Sequence, residues 1–390
     1  MKVLVLGGCG IQGRTALYDL ASDPEIKQIL CADLQFDDLD KIASFTDMSK
    51  ITPVKLDAKD KTTMANLFNQ VDIVIDLLPK TFLTQVYDAA LDTGTSVVNT
   101  NYKYDPAELN ERAKAAGITI MPECGLDPGI DLVIYGDALS RFDQLHVINS
   151  YCGGFPEQKA CTNPLNYKLS WIWRGVLSAN NRKGRIIKNG KIIDIPAVNQ
   201  HDAQFIHSVN VPGLGSLEAI PNGDAIYFTD LMGVTPTIVE TDRYSLRWPG
   251  WADFWRPLKA LGFLDDTAIP GLGGLTPMDF LDKFLGPKLE YEDHEKDLTV
   301  MVNVFEGIKE NKRQRLTATM CIERDIDTGI MAMSKGVGYT AAIVARMIAK
   351  KEIRKTGVLS PIRHIPVAPF MAALKHRGIS ISEETTVLSD

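Results

Sequence analysis

The sequence predicts an α/β protein: a doubly wound parallel sheet joined to a second, α+β domain with a mixed or antiparallel sheet. Three observations predict it. An apolar run, Lys2-Val3-Leu4-Val5-Leu6, enters the cluster Gly7-Gly8-Cys9-Gly10-Ile11-Gln12-Gly13, and an amphipathic helix pattern (Ile11, Ala16, Leu17, Leu20) starts at once. Strand-like and helix-like stretches then alternate to about residue 123, which is the rhythm of parallel strands with right-handed crossovers. From about residue 145 the pattern changes to strand-like runs with aromatic-rich segments.

The glycine cluster carries the first functional reading. In Gly8-x-Gly10-x-x-Gly13, the first glycine lets the chain turn off the strand. The second admits a pyrophosphate close to the backbone, and the third lets the helix pack on the sheet. The N–H groups of Ile11, Gln12 and Gly13 at the helix start then face the anion. Asp33 lies twenty residues past Gly13, after the apolar run Ile29-Leu30-Cys31-Ala32. An acid there would hold two ribose hydroxyls and repel a 2′-phosphate, so the expected cofactor is NAD rather than NADP.

Further strands are expected at 28–32, 52–56, 72–77, 95–99 and 118–122, with helices at 11–22, 60–70, 82–93 and 105–116. Asp57, Leu77-Leu78-Pro79 and Asn99-Thr100-Asn101-Tyr102 fall at carboxyl ends of strands, the edge where such sheets bind ligands. Leu78, Asn99, Thr100 and Asp57 are therefore cofactor candidates, with turn chemistry as the alternative for Asp57. Pro122 to Asp131 breaks regular structure before a helix at about 130–141. Within it, Asp127 is read either as the helix cap or as a carboxylate facing substrate.

In the second half, Val147 to Gly154 reads as a strand ending in a turn. Ile186 to Ile193 reads as a hairpin turning at Asn189-Gly190. Strands are expected at 216–220, 242–248, 297–307 and 314–323, with a helical insert near 250–285. An apolar helix follows at 338–349, an amphipathic one at 366–377, and 378–390 reads as a polar tail. The expected domains are 1–124 with 335–365 for the dinucleotide, 125–334 for substrate and dimerisation, and 366–390 as a terminal helix and tail.

Bulk properties narrow the function classes. A chain of 390 residues, 45% hydrophobic and 23% charged, is long enough for two buried cores. Its net charge of −7 without a basic stripe argues against nucleic acid. No window reaches the roughly 18–20 apolar residues of a membrane span, and a strand begins at residue 2, so neither membrane nor signal peptide is expected. The six cysteines form no pair or cluster at ligand spacing. No metal site is expected, and free thiols point to the cytoplasm.

Beyond these readings, the landmarks together resemble the saccharopine dehydrogenase family, in particular its glutamate-forming saccharopine reductases. The matching stretches are Gly125-Leu126-Asp127-Pro128-Gly129-Ile130-Asp131, Ser150-Tyr151-Cys152-Gly153-Gly154, Asn163-Pro164-Leu165, Tyr167-Lys168, Ser170-Trp171, Arg174-Gly175-Val176-Leu177 and Leu246-Arg247. The resemblance implies a Rossmann domain, a substrate domain and a C-terminal helix returning to the first. It implies that Gly10 to Gly13, Asp33, Gly125 and Leu126 hold the cofactor, with Trp171 close to the nicotinamide. Asn101, Tyr102, Asp127, Cys152, Arg243 and Arg247 would face an amino-acid substrate. Separately, the exposed sheet face of the second domain reads as a homodimer surface.

The implied reaction oxidises the carbon bearing an amine and releases 2-aminoadipate 6-semialdehyde. The amine must be neutral, and Asp127, Tyr102 and Lys168 are the acid–base candidates. Lys168 also reads as a surface cation, Cys152 as a packing residue, and Arg243 and Arg247 as strand-surface ion pairs. Two departures stand out. Such reductases carry a basic residue after the second strand, where this chain has Asp33. They also carry an arginine where Pro221-Asn222-Gly223-Asp224 has glycine. The latter keeps lysine 6-dehydrogenase and carboxyspermidine-type dehydrogenase open as alternatives, with a non-catalytic NAD-binding sensor behind them.

Overall fold

In a computed structural model, which describes residues 1–103 and 108–389, the chain forms two units. One comprises 1–137 with 334–380, the other 138–333 with 381–390. The first opens with β1 (Lys2–Leu6), α1 (Ile11–Ala21), β2 (Gln28–Asp33) and β3 (Ile51–Lys55), followed by α2 (Lys61–Phe68), β4 (Ile73–Asp76) and α3 (Leu83–Thr93). Then come β5 (Val97–Asn99), α4 (Leu109–Ala115), β6 (Thr119–Met121) and α5 (Ile130–Arg141). The expected helix at 105–116 begins in part on residues outside those described. The strands pair in parallel in the order β6-β5-β4-β1-β2-β3. Their direction of progression reverses between β1 and β4, where ligands bind in such sheets. Leu4, Leu6, Leu30, Val74, Val97 and Ile120 meet Met64, Phe68, Val86 and Tyr87 in one core. The α2 helix starts where Asp60 accepts the Thr63 N–H at 3.0 Å.

The second unit is built on β7 (Gln144–Pro156), α6 (Trp173–Ala179), β8 (Gly184–Lys188), β9 (Lys191–Ile195), β10 (His207–Val211), β11 (Gly215–Pro221), α7 (Ala225–Met232) and β12 (Glu240–Arg247). It continues with α8 (Trp251–Ala260), α9 (Pro277–Leu285), β13 (Asp297–Lys309) and β14 (Lys312–Glu323). The sheet runs β10-β11-β12-β7-β13-β14, with the β8–β9 hairpin attached to β12. Asn189 and Gly190 both have positive φ, 52° and 71°, as the expected tight turn requires. The β7 strand does not end in a turn at Gly153-Gly154. It runs through both glycines, because a Cβ at 153 would lie 2.2 Å from the Leu246 carbonyl oxygen. Tyr167, Trp173, Trp251, Trp255, Phe155, Leu246 and Val300 form its core.

The chain then returns through a π-helical turn (Lys335–Tyr339), α10 (Thr340–Ala349), β15 (Gly357–Val358) and α11 (Val367–His376). The β15 strand extends the first sheet beside β6. The segment expected as a polar tail instead carries β16 (Ile381–Val387), antiparallel to β14 from Met320↔Ile381 to Gln314↔Val387. It is an exposed edge strand, held by backbone pairing, which leaves no hydrophobic alternation in the sequence. Among the described residues no helix is long and apolar enough to cross a membrane.

A buried ion network fixes α1. Asp19, 5% exposed, is paired with Arg346 of α10 and accepts from Arg377 Nε at 2.5 Å, while Arg346 Nη1 reaches Asp23 at 2.9 Å. Replacing Asp19 by Ala leaves Arg377 without its carboxylate and Arg346 with Asp23 alone, and is expected to cost about 3 kcal/mol, since breaking a buried pair leaves uncompensated charge. Urea unfolding measures this, and a loss below about 1 kcal/mol would show that the network is no more than a surface pair.

Candidate functional site

At the β1–α1 turn, backbone approaches backbone. A Cβ on Gly13 would sit 2.2 Å from the Gly7 carbonyl oxygen, and one on Gly8 would sit 2.6 Å from Cys31 Sγ. Gly10 is the N-cap of α1 with no side-chain cap. The N–H groups of Ile11, Gln12 and Gly13 therefore open the helix without intrahelical acceptors. This cradle fits a dinucleotide pyrophosphate. Asp33 does not present a free carboxylate beside it. Its Oδ2 accepts the Cys9 N–H at 3.0 Å and its Oδ1 the Leu34 N–H at 2.8 Å, so it braces the turn.

Around that turn the structure gathers several expected residues. The Leu78 side chain lies 3.6 Å from where a Gly7 Cβ would be. Asn101 Nδ2 donates to the Leu78 carbonyl at 3.3 Å, and the Asn101 N–H donates to Asn99 Oδ1 at 3.0 Å. The buried Asn99 amide in turn donates to the Tyr87 hydroxyl at 2.9 Å. Thr100 packs on Gly125, where a Cβ would lie 3.5 Å from its own. Leu126 is buried against Gly336, and Tyr102 is exposed. Asp57 is exposed and accepts the Lys59 N–H at 2.9 Å, as a turn residue does.

Asp127 sits half-buried in the tight loop from Gly125 to Gly129. At the start of α5 the Gly129 N–H is taken at 2.7 Å by Asp131, whose carboxyl burial pushes up to about 8. One acid here escaped the sequence reading. Asp76 ends β4 with 1% exposure; its Oδ1 accepts the Leu78 N–H at 3.0 Å, and its Oδ2 has no partner among the described residues. Burial pushes this carboxyl up to about 7. A charged residue closing the buried run Ile73-Val74-Ile75 was the available signal.

In the second unit, Cys152, Arg243 and Arg247 belong to one face of the sheet, since Cys152 is in register with Ser245, two residues from each arginine. Both arginines are buried, not on the strand surface. The Arg243 guanidinium lies 4.4 Å over the Phe228 ring. That of Arg247 stands 5.1 Å from Trp251 and 5.4 Å from Tyr167, and its Nη1 donates to the Leu246 carbonyl at 2.7 Å. Burial pulls its pKa down from the usual arginine value, though a guanidinium stays protonated. Trp171 is half-buried, its ring 2.5 Å from where a Gly175 Cβ would be.

Lys168 is neither a surface cation nor a ready base. It is buried, and its ammonium is held by both Glu295 oxygens at 2.6 Å. A concavity of about 420 Å³ opens elsewhere, between Tyr151, His207, Glu240 and Glu306, on the face that alternation sets opposite Cys152.

Two measurements test the first unit. Gly13→Ala should weaken dinucleotide binding more than about tenfold, because one steric clash in the cradle costs over 1.4 kcal/mol. Gly94→Ala, where a Cβ meets nothing within 4 Å, should leave affinity unchanged; equal affinities in all three proteins would remove the cradle. Asp76 gives a pH signature. The folded chain retains a proton that the unfolded chain releases near pH 4. The stability this contributes is full below about pH 4 and is lost as pH rises through about 7. Relative to Asp76→Asn, the wild type should lose up to about 1.4 kcal/mol per pH unit across that window. Parallel urea titrations at acid and neutral pH measure it, and a constant difference would refute it.

The chain matches two family descriptions. Residues 3–121 match the saccharopine dehydrogenase NADP binding domain, and residues 125–379 the saccharopine dehydrogenase C-terminal domain. A saccharopine dehydrogenase [NADP(+), L-glutamate-forming] from Pyricularia oryzae is 28% identical, over 98% of this chain and 99% of that one. An alpha-aminoadipic semialdehyde synthase from Arabidopsis thaliana is also 28% identical, but the chain spans only 39% of its length. Among solved structures, the apo saccharopine dehydrogenase (L-Glu forming) of Saccharomyces cerevisiae superposes with a TM-score of 0.86 at 26% identity, covering 99% of both chains. These matches correct the expectation of NAD: the matched domain and the fungal relatives are NADP-binding. The acid on which that expectation rested also accepts two N–H groups of the turn. Matched along both of its parts, the chain belongs to the saccharopine dehydrogenase family.

Proposed function

We propose that the chain is an NADP-dependent oxidoreductase that oxidises the C–N bond of saccharopine, releasing L-glutamate and 2-aminoadipate 6-semialdehyde. The observation that carries this reading is the end-to-end likeness to the yeast L-Glu-forming enzyme. The cofactor is held by the backbone N–H groups of Ile11, Gln12 and Gly13 over Gly8 and Gly10, with Leu78, Asn99, Thr100, Gly125 and Leu126 at the same sheet edge. When bound, its nicotinamide accepts the hydride.

The protein's own work is positional. Asp127 orients the secondary amine and takes its proton, so that the nitrogen lone pair is available. Tyr102 and Asn101 flank that carboxylate in the role of hydrogen-bonding groups, and Cys152 lines the substrate face. Arg243 and Arg247 hold substrate carboxylates from an aromatic, low-dielectric surround that strengthens the attraction. Water then adds to the iminium carbon, and the C–N bond breaks to give the aldehyde and the amino group of glutamate.

Gly223 does not remove the case for a glutamate-forming substrate. Its φ is +95°, which favours glycine, and a Cβ there would lie 3.7 Å from Arg182 Cδ. Arg182 Nη1 donates to Asn222 Oδ1 at 3.0 Å, so a guanidinium stands beside the glycine. A cytoplasmic homodimer belongs to the same reading, and sedimentation tests the dimer.

The purified chain with NADP, offered saccharopine and lysine separately, should reduce the cofactor with saccharopine and form glutamate. Turnover of lysine alone would replace this reading with an amine dehydrogenase. Arg247→Lys should raise KM for saccharopine by roughly tenfold to a hundredfold, since ionic hydrogen bonds contribute about 1.5–3 kcal/mol and lysine lacks the fork. Its NADP affinity should not change.

A further inference from the structure

We infer that Asn303 and Ser150 form the pocket that reads the α-amino-carboxylate end of the substrate. Neither was visible as a pair in the sequence, and the inference rests on the amino-acid chemistry proposed above. On the sheet of the second unit, Ser150 of β7 is in register with Asn303 of β13 on one side and with Arg243 of β12 on the other. In-register neighbours point to the same face about 5 Å apart. The three side chains therefore make a polar row across the face that carries Cys152 and Arg247. Ser150 and Asn303 are 0% exposed and Arg243 is 1% exposed.

The row is costly as a structural device. Among the described residues, Ser150 Oγ and both Asn303 amide atoms have no hydrogen-bond partner. Nor do Thr299 Oγ1 and Ser170 Oγ, which lie 3.8 and 3.4 Å from the Cβ position of Gly154 on the same face. The flanking positions of β13 on this face are Met301 and Phe305, both buried, so an apolar residue at 303 would fit the pattern of the strand. Buried amides are almost always satisfied, and an unsatisfied one destabilises the fold. A side chain kept there at that cost meets something that is not part of the chain.

Chemistry narrows what it meets. The Asn303 amide offers two donors and one acceptor, the Ser150 hydroxyl one donor, and Arg243 donors only. A carboxylate beside Arg243 accepts from Asn303 Nδ2 and the Ser150 hydroxyl. An ammonium on the adjacent carbon donates to Asn303 Oδ1. An α-amino acid head carries both groups on one carbon, whereas a plain amine or a phosphate uses half of the set.

Asn303→Leu, close in size and apolar, separates a ligand-binding amide from a structural one. The pocket reading expects an unchanged or higher thermal midpoint and unchanged NADP affinity. It expects KM for saccharopine to rise at least ~10-fold, with kcat within ~3-fold, because about one ionic hydrogen bond is lost in binding alone. Ser150→Ala should shift KM the same way by a smaller factor, and it serves if Asn303→Leu does not fold. A lower midpoint with KM unchanged would overturn the inference in favour of an internal structural amide, and so would no change in either quantity. A wild type that does not turn over saccharopine refutes the proposed function instead. Calorimetric titration with L-glutamate and L-lysine then still tests the pocket: binding lost in Asn303→Leu supports it, and binding equal to wild type overturns it.

Discussion

The first unit depends on how closely α1 can approach two other backbones. Gly13 meets the carbonyl of Gly7, and from the other side Gly338 meets α1 itself, where a Cβ would lie 2.8 Å from the Gln12 carbonyl oxygen and 3.0 Å from the Ala16 nitrogen. Two glycines more than 300 residues apart in sequence thus clamp one helical turn. The far end of α1 is held differently. Asp19 lies in the last turn, where the helix dipole disfavours an acid, and the guanidinium groups of Arg346 and Arg377 offset both that and its burial. The uncapped N-terminus is free to serve an anion because the helix is fixed without needing a cap of its own.

The second unit solves a different problem with one sheet. Its strands alternate, so Tyr151, Tyr244, Leu246, Val300 and Val302 join the apolar core, and Ser150, Cys152, Arg243, Arg247 and Asn303 belong to the other face. The apolar face supplies hydrophobic stabilisation, about 1.5–3 kcal/mol per large buried side chain. That surplus lets the other face carry buried polar groups that lower stability. Gly153 and Gly154 serve the same economy of space. They let β7 pass close to Leu246 and to Met333, where a Cβ at 154 would lie 2.5 Å from the methionine methyl.

Legibility in the sequence follows from the distance between interacting residues. The β1–α1 turn was readable because its three glycines act on one another within a few residues. The parallel pairing, though not the order of the strands, came through because each strand and its crossover form one local unit. The Asn189-Gly190 hairpin was local in the same sense. Lys168 was misread because its partner, Glu295, lies 127 residues away. The β7 glycines read as a turn because the backbone they make room for belongs to β12. Asp33 was placed at the right point, but the spacing rule locates an acid without saying that the turn's own N–H groups donate to it or which dinucleotide the domain takes. Asn303 carried no local signal, being a polar residue between Val302 and Val304 in a strand that also holds Thr299 and Glu306. Only the register of β13 on β7 gives it meaning.

The two units consequently differ in what their sites tolerate. The cofactor cradle is made of backbone, so its geometry is set by what is absent at Gly8, Gly10 and Gly13, and side-chain changes around it act indirectly. The face proposed for substrate is made of side chains on a sheet. The turn at Gly223 illustrates the consequence. A left-handed glycine contributes no charge there, yet Arg182 reaches the same place from another segment, held by Asn222. What a substrate carboxylate requires is a guanidinium at a location, whichever position of the chain supplies it. Departure from a family pattern at one residue is therefore weak ground for a different substrate until the neighbouring side chains in space have been examined.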